Sequence, residues 1–284
     1  MTDQLHDQVE RVRAWYNLVA DAFAHRYDDR SGWYFARCEE DLLYAVCRLR
    51  GRSVLDLGTG AGRLLPRLST VARFVAGADI SEVLLRRAPH VPRTALLQMN
   101  ALDLGFQPAS FDAVVSLGLF EYVADLDPFL EEIRRVLRPE GQVAFTYHQA
   151  SAHRAVDGEP LDAPYFGRTI AERSRYWAKH RHERAEIRRA LARHRFVNVR
   201  SFRVFFRVPQ QLYALSSRFP AESAADRALR RTAVAADRVL GRVLQPVTQF
   251  WTGNVLAVAD AVGPRRECRN AGMHECRNEG MTEE

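Results

Sequence analysis

The chain is almost without lysine: of its 41 basic residues, Lys179 stands alone and the other 40 are arginine. Such a bias points to a GC-rich coding background rather than to selection for a polyanionic partner. Cysteine is scarce as well. Cys38, Cys47, Cys268 and Cys276 form no C-x-x-C pair, which leaves a zinc ribbon and a thioredoxin-type motif without support. No run of 18 apolar residues is present, so no transmembrane helix is expected. The opening MTDQLHDQVE lacks the apolar core of a signal peptide, and the cytoplasm is the expected compartment. Apolar residues are not lacking. A composition of 47% hydrophobic and 27% charged over 284 residues is that of an ordinary globular protein, large enough to hold its core without a disulfide or metal.

The net charge of +6 is uneven: residues 168–207 carry thirteen basic and three acidic side chains. An anionic partner and a solvated helix face both account for such a strip; the second is the simpler. Near the end a short tandem repeat, ECRNAGM then ECRNEGM, brackets His274. Its cysteines and histidine could be taken as metal ligands, but a polar, glycine-containing terminus over 263–284 is more simply a disordered tail. No metal is expected.

Leu5, Val9, Val12, Tyr16, Val19 and Phe23 follow steps of four and three and predict a first helix. An aromatic, polar stretch follows (Tyr27, Trp33, Tyr34, Phe35), then a second helix over Glu39–Arg50 ending at Gly51. From there the texture changes. Short apolar runs at 53–57, 74–78, 96–99, 111–116 and 142–147 predict strands. Helical segments alternate with them, over 63–69, after the capping Ser81, and over 125–137. Arg138-Pro139-Glu140-Gly141 suits a type I turn. Strands and helices in alternation mean βαβ units, and continuous apolar strands mean a parallel sheet covered on both faces. Further on, 183–194 predicts a basic helix, 196–208 a strand, 209–246 mainly helix, and 252–260 a last strand.

The first strand runs directly into Gly58-Thr59-Gly60-Ala61-Gly62. Glycines at that place let backbone approach a ligand closely. The spacing is one residue short of the dinucleotide pattern G-x-G-x-x-G. Asp56 just before the loop would repel a pyrophosphate by ~1–4 kcal/mol at 4 Å, yet suits a ligand carrying an ammonium. Asp79, at the end of the second strand, is placed to accept from ribose hydroxyls; its simpler role is that of an acid at a helix start.

VLDLGTGAGRLL resembles the D-x-G-x-G-x-G motif of class I S-adenosylmethionine-dependent methyltransferases. AGADIS resembles the family's second-strand acid, MNALDLGF its G-D-A-x-x-L-P-F stretch, and FDAVVSLGLFEYVADLDPFLEEIRRVLRPEGQVAFTYH its F-D-x-V to L-R-P-G-G block. The N-terminal WYNLVADAFAHRYDD is similar to the lead-in of many small-molecule members. The resemblance implies an α/β, doubly wound Rossmann-like sheet of seven strands, the last antiparallel. It also implies an N-terminal helical cap over 1–50, a methyltransferase domain over 51–262 with its core at 51–148, and a helical insertion at about 209–250.

It further implies that S-adenosyl-L-methionine is the cofactor. Gly58, Thr59, Gly60 and Gly62 would hold its amino-acid end, with Asp56 facing the ammonium and Asp79 the ribose. Ile80, Asn100 and Ala101 would lie by the adenosine, and Leu117 near the reacting methyl. Two positions depart from the family: Asn100 stands where aspartate is usual, and Tyr122 where histidine often serves as base. The candidate catalytic residues at strand ends are therefore His148 and Glu121 as bases, with Tyr147 orienting a substrate. The aromatics Tyr16, Phe23, Tyr27 and Tyr34 are candidates to lid the cleft and touch the acceptor.

The expected function is methyl transfer to O, N or C of a small molecule, such as a specialised metabolite. A nucleic-acid methyltransferase is the main rival, favoured by the basic strip and opposed by Ser116-Leu117-Gly118-Leu119 where [DN]-P-P-[YF] would be needed. A non-catalytic cofactor-binding partner protein is a third reading. A nicotinamide oxidoreductase is disfavoured by Asp56. A homodimer is left open.

Overall fold

The computed structural model describes residues 3–25, 27, 30–123, 125–149, 180–204, 207–243 and 253–262. Three helices lead: α1 (Asp3–Leu18), α2 (Ala20–Ala24) and α3 (Arg30–Val46). The sheet region then runs β1 (Ser53–Leu57), α4 (Leu65–Val71), β2 (Phe74–Asp79), α5 (Glu82–Leu85), β3 (Thr94–Gln98), β4 (Phe111–Ser116), α6 (Leu126–Val136) and β5 (Leu137–Gln149). After it come α7 (Arg184–Arg193), β6 (Phe196–Arg203), α8 (Arg207–Ser216), α9 (Ala224–Val243) and β7 (Gly253–Ala261). The seven strands form one sheet in the order β3-β2-β1-β4-β5-β7-β6. Strands β1 to β5 pair in parallel, and β7 inserts antiparallel between β5 and β6. The expected doubly wound sheet with an antiparallel last strand is what the chain builds.

Alternation along each central strand divides the core into two layers. Leu55, Leu57, Val114, Val143 and Phe145 pack on α6 and α7 through Phe129, Ile133, Ile187 and Leu191. Val54, Val75, Val115, Ala144 and Val258 pack on α3, α4 and α9 through Cys38, Leu42, Leu65, Leu68 and Val234. Both faces are thus covered, as a parallel sheet requires.

Two local expectations are corrected. The aromatic stretch 27–35 was expected as a connection, but α3 begins at Arg30 and takes in Trp33, Tyr34 and Phe35. The reason is helical phase: Tyr34, Cys38 and Leu42 recur every four residues and all lie buried in the main core. Residues 138–141 form no simple turn; β5 passes through them, with Glu140 left-handed at φ 62° and a register shift opposite Phe111–Ala113. The insertion packs on α3, where Tyr213 stacks on Tyr34 at 4.5 Å and the Arg230 guanidinium lies 5.2 Å above the Trp33 ring. The C-terminal tail with its cysteine repeat lies outside the described residues, as does the part of the basic strip before His180.

Candidate functional site

The parallel strands present their carboxyl ends on one edge of the sheet, the edge at which ligands sit in open α/β sheets. There β1 turns through Gly58, Gly60 and Gly62 at φ 76°, 55° and 76°. A side chain in that region costs roughly 1–2 kcal/mol, so glycine is what lets the loop turn in place. Gly58 and Thr59 both donate to the Ala78 carbonyl at 2.8 and 3.0 Å. The Asp79 carboxylate ties the loop to α5: Oδ2 accepts from Gly60 N at 2.7 Å and Oδ1 from Ser81 N at 2.8 Å. Ser81 caps α5 through Leu84 N. A carboxylate oxygen has a second lone pair, so Asp79 keeps capacity toward hydroxyl donors.

Asp56 lies beneath the loop, only 2% exposed, and accepts the Thr59 hydroxyl at 2.6 Å. Burial pushes its carboxyl up to about 6, against the Thr59 hydrogen bond and the nearby Arg63. That guanidinium is itself committed, to Glu39 at 2.9 Å and over the Tyr27 ring at 4.6 Å. A buried carboxylate strained in this way is a fitting seat for an ammonium group. The side chains nearest the glycine cradle beside it are Phe23 at Gly60 and Leu119 at Gly58, 3.1 and 3.2 Å from where a Cβ on each would stand. Just after β2, Ile80 accepts from Gln98 through its carbonyl. In the turn after β3, which includes Ala101, the Asn100 Oδ1 accepts from Leu102 N at 3.0 Å.

On the other side, β4 leads through buried Leu117 to Gly118, whose N–H donates to Thr146 Oγ1 at 2.8 Å. The turn Phe120–Tyr122 then brings Glu121 to His148, with Oε2 and Nε2 3.1 Å apart. Residues 180–182 strap this pair down. His180 N donates to the Glu121 carbonyl at 2.7 Å, and His182 N to the His148 carbonyl at 2.9 Å. His182 is itself buried, with Nε2 3.1 Å from the Val123 carbonyl. Burial and the neighbouring His182 hold the His180 imidazole below its ordinary range.

Helices α1 and α2 close over both halves. The Tyr16 hydroxyl donates to the Tyr122 hydroxyl at 2.7 Å, and the two rings meet edge-on at 5.8 Å. Phe23 packs edge-on to Tyr16 at 4.9 Å. Its ring comes within 3.1 Å of where a Cβ on Gly60 would stand. Gln8 donates to the Tyr122 carbonyl at 2.9 Å, and Ser81 donates to Asn17 at 2.6 Å.

The structure thus gathers Tyr16, Phe23, Tyr27, Asp56, the glycine loop, Asp79, Leu117, Glu121 and His148 at one edge. Two predicted residues fall elsewhere. Tyr147 is 2% exposed and packs with Phe145 in the layer under α6 and α7, where burial pushes its phenol up to about 12; alternation along β5 turns it away from the substrate-orienting place expected for it. Tyr34, within α3, is equally buried and stacked on Tyr213, its phenol raised by burial and then by Cys38 and Asp237. It belongs to the core instead of the lid. Gln8, Thr146, His180 and His182 were missed, because no periodicity or motif marks them.

Comparison with known proteins agrees with this geometry. A family model described as a methyltransferase domain matches residues 55–145. Malonyl-(acyl-carrier protein) O-methyltransferase of Erwinia billingiae is 30% identical over 152 residues, covering 51% of this chain and 60% of that protein. Demethylmenaquinone methyltransferase of Clavibacter sepedonicus is 36% identical over 104 residues, covering 35% and 42%. The chain therefore spans about half the length of such relatives. Among solved structures, the putative methyltransferase complexed with the Haloferax volcanii Trm112 activator superposes with a TM-score of 0.56 at 21% identity, covering 87% of this chain and 98% of that one. A structure named as the 4+2 cyclase SpnF gives 0.58 at 17% identity, covering 89% and 96%. With the glycine loop, the strand-end acids and the sheet order in place, residues 55–145 match a methyltransferase domain, and over that region the chain is similar to class I S-adenosylmethionine-dependent methyltransferases.

Proposed function

We propose that this protein methylates a hydroxyl of a small, partly apolar molecule such as a specialised metabolite, using S-adenosylmethionine. The observation that carries this reading is the Glu121–His148 pair at the carboxyl ends of adjacent strands. The fit of the cradle to the cofactor rests on the buried Asp56 and the three left-handed glycines. Asp56 would hold the ammonium, Gly58, Thr59, Gly60 and Gly62 the amino-acid end, and Asp79 the ribose. Ile80, Asn100 and Ala101 would flank the adenosine, and Leu117 the reacting methyl. When bound, the cofactor supplies an electrophilic methyl group.

What remains for the chain is alignment, exclusion of water and handling of one proton. Alignment is worth up to ~7–11 kcal/mol in favourable cases. Water is excluded by Tyr16 and Phe23. Because Nε2 of His148 faces a carboxylate, it carries the hydrogen and donates it, leaving the Nδ1 lone pair to accept a proton from the acceptor hydroxyl. Glu121 then stabilises the imidazolium that results. General-base assistance of this kind is worth roughly 10²–10⁴ in rate. Relatives named for O-methylation in ubiquinone biosynthesis and for malonyl-acyl carrier protein support a small or carrier-borne acceptor.

The test is transfer of labelled methyl from S-adenosylmethionine to fractionated metabolites, followed by His148→Ala on the acceptor found. A loss of turnover of roughly a hundredfold or more, with unchanged affinity for S-adenosylhomocysteine, is expected. A loss below tenfold would identify an amine or carbon acceptor, for which alignment suffices. Tight cofactor binding without transfer to any acceptor would favour non-transfer chemistry on this fold, as the neighbour named a cyclase illustrates.

A further inference from the structure

Helix α9 is 20 residues long, about 30 Å. Its inner face is buried on α3 and the sheet through Asp226, Arg230, Ala233, Val234 and Asp237. Its outer face carries a stripe of small and aliphatic side chains, with Thr232 its one hydroxyl and the valines toward its end. Ala228, Thr232, Ala235, Val239 and Val243 follow steps of four and three and are all exposed; Val239 is 54% and Val243 67% accessible. Beside this stripe, about a third of a turn round the helix, runs a row of arginines: Arg227, Arg231, Arg238 and Arg242. Nothing acidic balances them. Between 207 and 243 the acids are Glu222, Asp226 and Asp237; the last two are buried, and Glu222 and Asp226 both pair with Arg230. Among the described residues Arg231, Arg238 and Arg242 have no acidic partner.

We propose that this outer face of α9 docks the protein on an anionic lipid surface. An apolar stripe bordered by a basic row and free of acid is the arrangement by which a helix lies in a membrane interface, apolar side inward and guanidinium groups among the headgroups. Both contributions are present: apolar area and attraction to negative charge. The charge pattern argues against a second copy of the chain as the occupant, since each copy would bring an unbalanced arginine row and no acid to meet it. It argues against nucleic acid as well, because phosphate recognition leaves the exposed Val239 and Val243 without a role. No helix among the described residues is long and apolar enough to cross a membrane, so the contact is peripheral. This reading is independent of the methyl acceptor.

The experiment is co-sedimentation of the full chain with vesicles of phosphatidylcholine containing 30% phosphatidylglycerol, and with phosphatidylcholine alone, across a salt series. Binding to the anionic vesicles that weakens with salt is expected, with little binding to the neutral ones. Arg231→Ala with Arg242→Ala should lower the partition coefficient roughly 10–30-fold, at about fivefold for each charge near the surface. Val239→Asp should lower it further. Melting temperature and affinity for S-adenosylhomocysteine should not change in either variant, because both touch solvent-facing positions. Equal binding to neutral vesicles, no binding to either, or full binding by the double arginine variant would overturn the proposal. So would a concentration-dependent dimer abolished by Val239→Asp, or duplex DNA outcompeting the vesicles at physiological salt.

Discussion

Replacing Asp56 by asparagine separates the cost of this residue from its use. The side chain is 2% exposed, and its carboxyl stands at about 6 instead of 3.8 because burial disfavours the charged form. At about 1.36 kcal/mol for each tenfold in proton affinity, keeping it ionised in the ligand-free protein costs ~3 kcal/mol. A raised carboxyl favours the folded state most at low pH, and that advantage is lost as pH rises from the unfolded value through the folded one. The penalty is therefore absent near pH 3, roughly half developed at pH 5, and complete above pH 6 to 7. Asparagine keeps the size and still accepts the Thr59 hydroxyl bond seen at 2.6 Å. Asp56→Asn should thus raise the melting temperature of the ligand-free protein at pH 8 by about 5 °C, at on the order of 2 °C per kcal/mol for a chain of this size. The gain should shrink at pH 5 and vanish toward pH 3. S-adenosylhomocysteine, which stabilises the wild type by binding only the native state, should protect the variant far less. Scanning calorimetry at three pH values, with and without ligand, reads all of this. A variant no more stable than wild type at pH 8, with undiminished ligand protection, would refute the argument that a strained carboxylate awaits an ammonium here.

Other perturbations test neighbouring parts of the site. Gly62→Ala places a Cβ 2.8 Å from the Ala88 Cβ and 2.9 Å from Leu65 at φ 76°, so chemical denaturation should show a loss of at least ~1–3 kcal/mol. Asp79→Ala should weaken S-adenosylhomocysteine by ~2–4 kcal/mol in a calorimetric titration. It should also lower the melting temperature, because Gly60 N and Ser81 N lose their acceptor; unchanged affinity would reduce Asp79 to a loop tie. Tyr16→Phe with Tyr122→Phe, run as a double-mutant cycle on turnover, should give a coupling of ~0.5–1.5 kcal/mol for the 2.7 Å hydroxyl pair; additivity would mean that the lid contact plays no part. Truncation after Ala24 should abolish methyl transfer and keep cofactor binding measurable. A cut at residue 35 would instead remove Tyr34 from the main core and unfold the protein.

The parallel core was legible in the sequence because it is written in local terms. Apolar runs such as Phe111–Ser116, the Ser81 cap and glycines at the end of β1 each act within a few residues of themselves, and their order along the chain implies βαβ units. The cofactor cradle was legible for the same reason: Asp56, Gly58, Thr59, Gly60 and Gly62 are neighbours in sequence. What tertiary structure alone decided is which distant residues meet and which way each side chain turns. Tyr147 and His148 are adjacent in β5, yet strand alternation buries the first with Phe145 and leaves the second beside Glu121. Tyr34 is assigned to the core by the start of α3 and the packing of Tyr213 on it. His180 and His182 reach Glu121 and His148 by backbone hydrogen bonds, which any side chain can make and which therefore leave no mark on residue choice. Gln8 finds the Tyr122 carbonyl only because α1 folds back over the sheet edge. Local periodicity specifies elements; sheet order and helix phase specify the site.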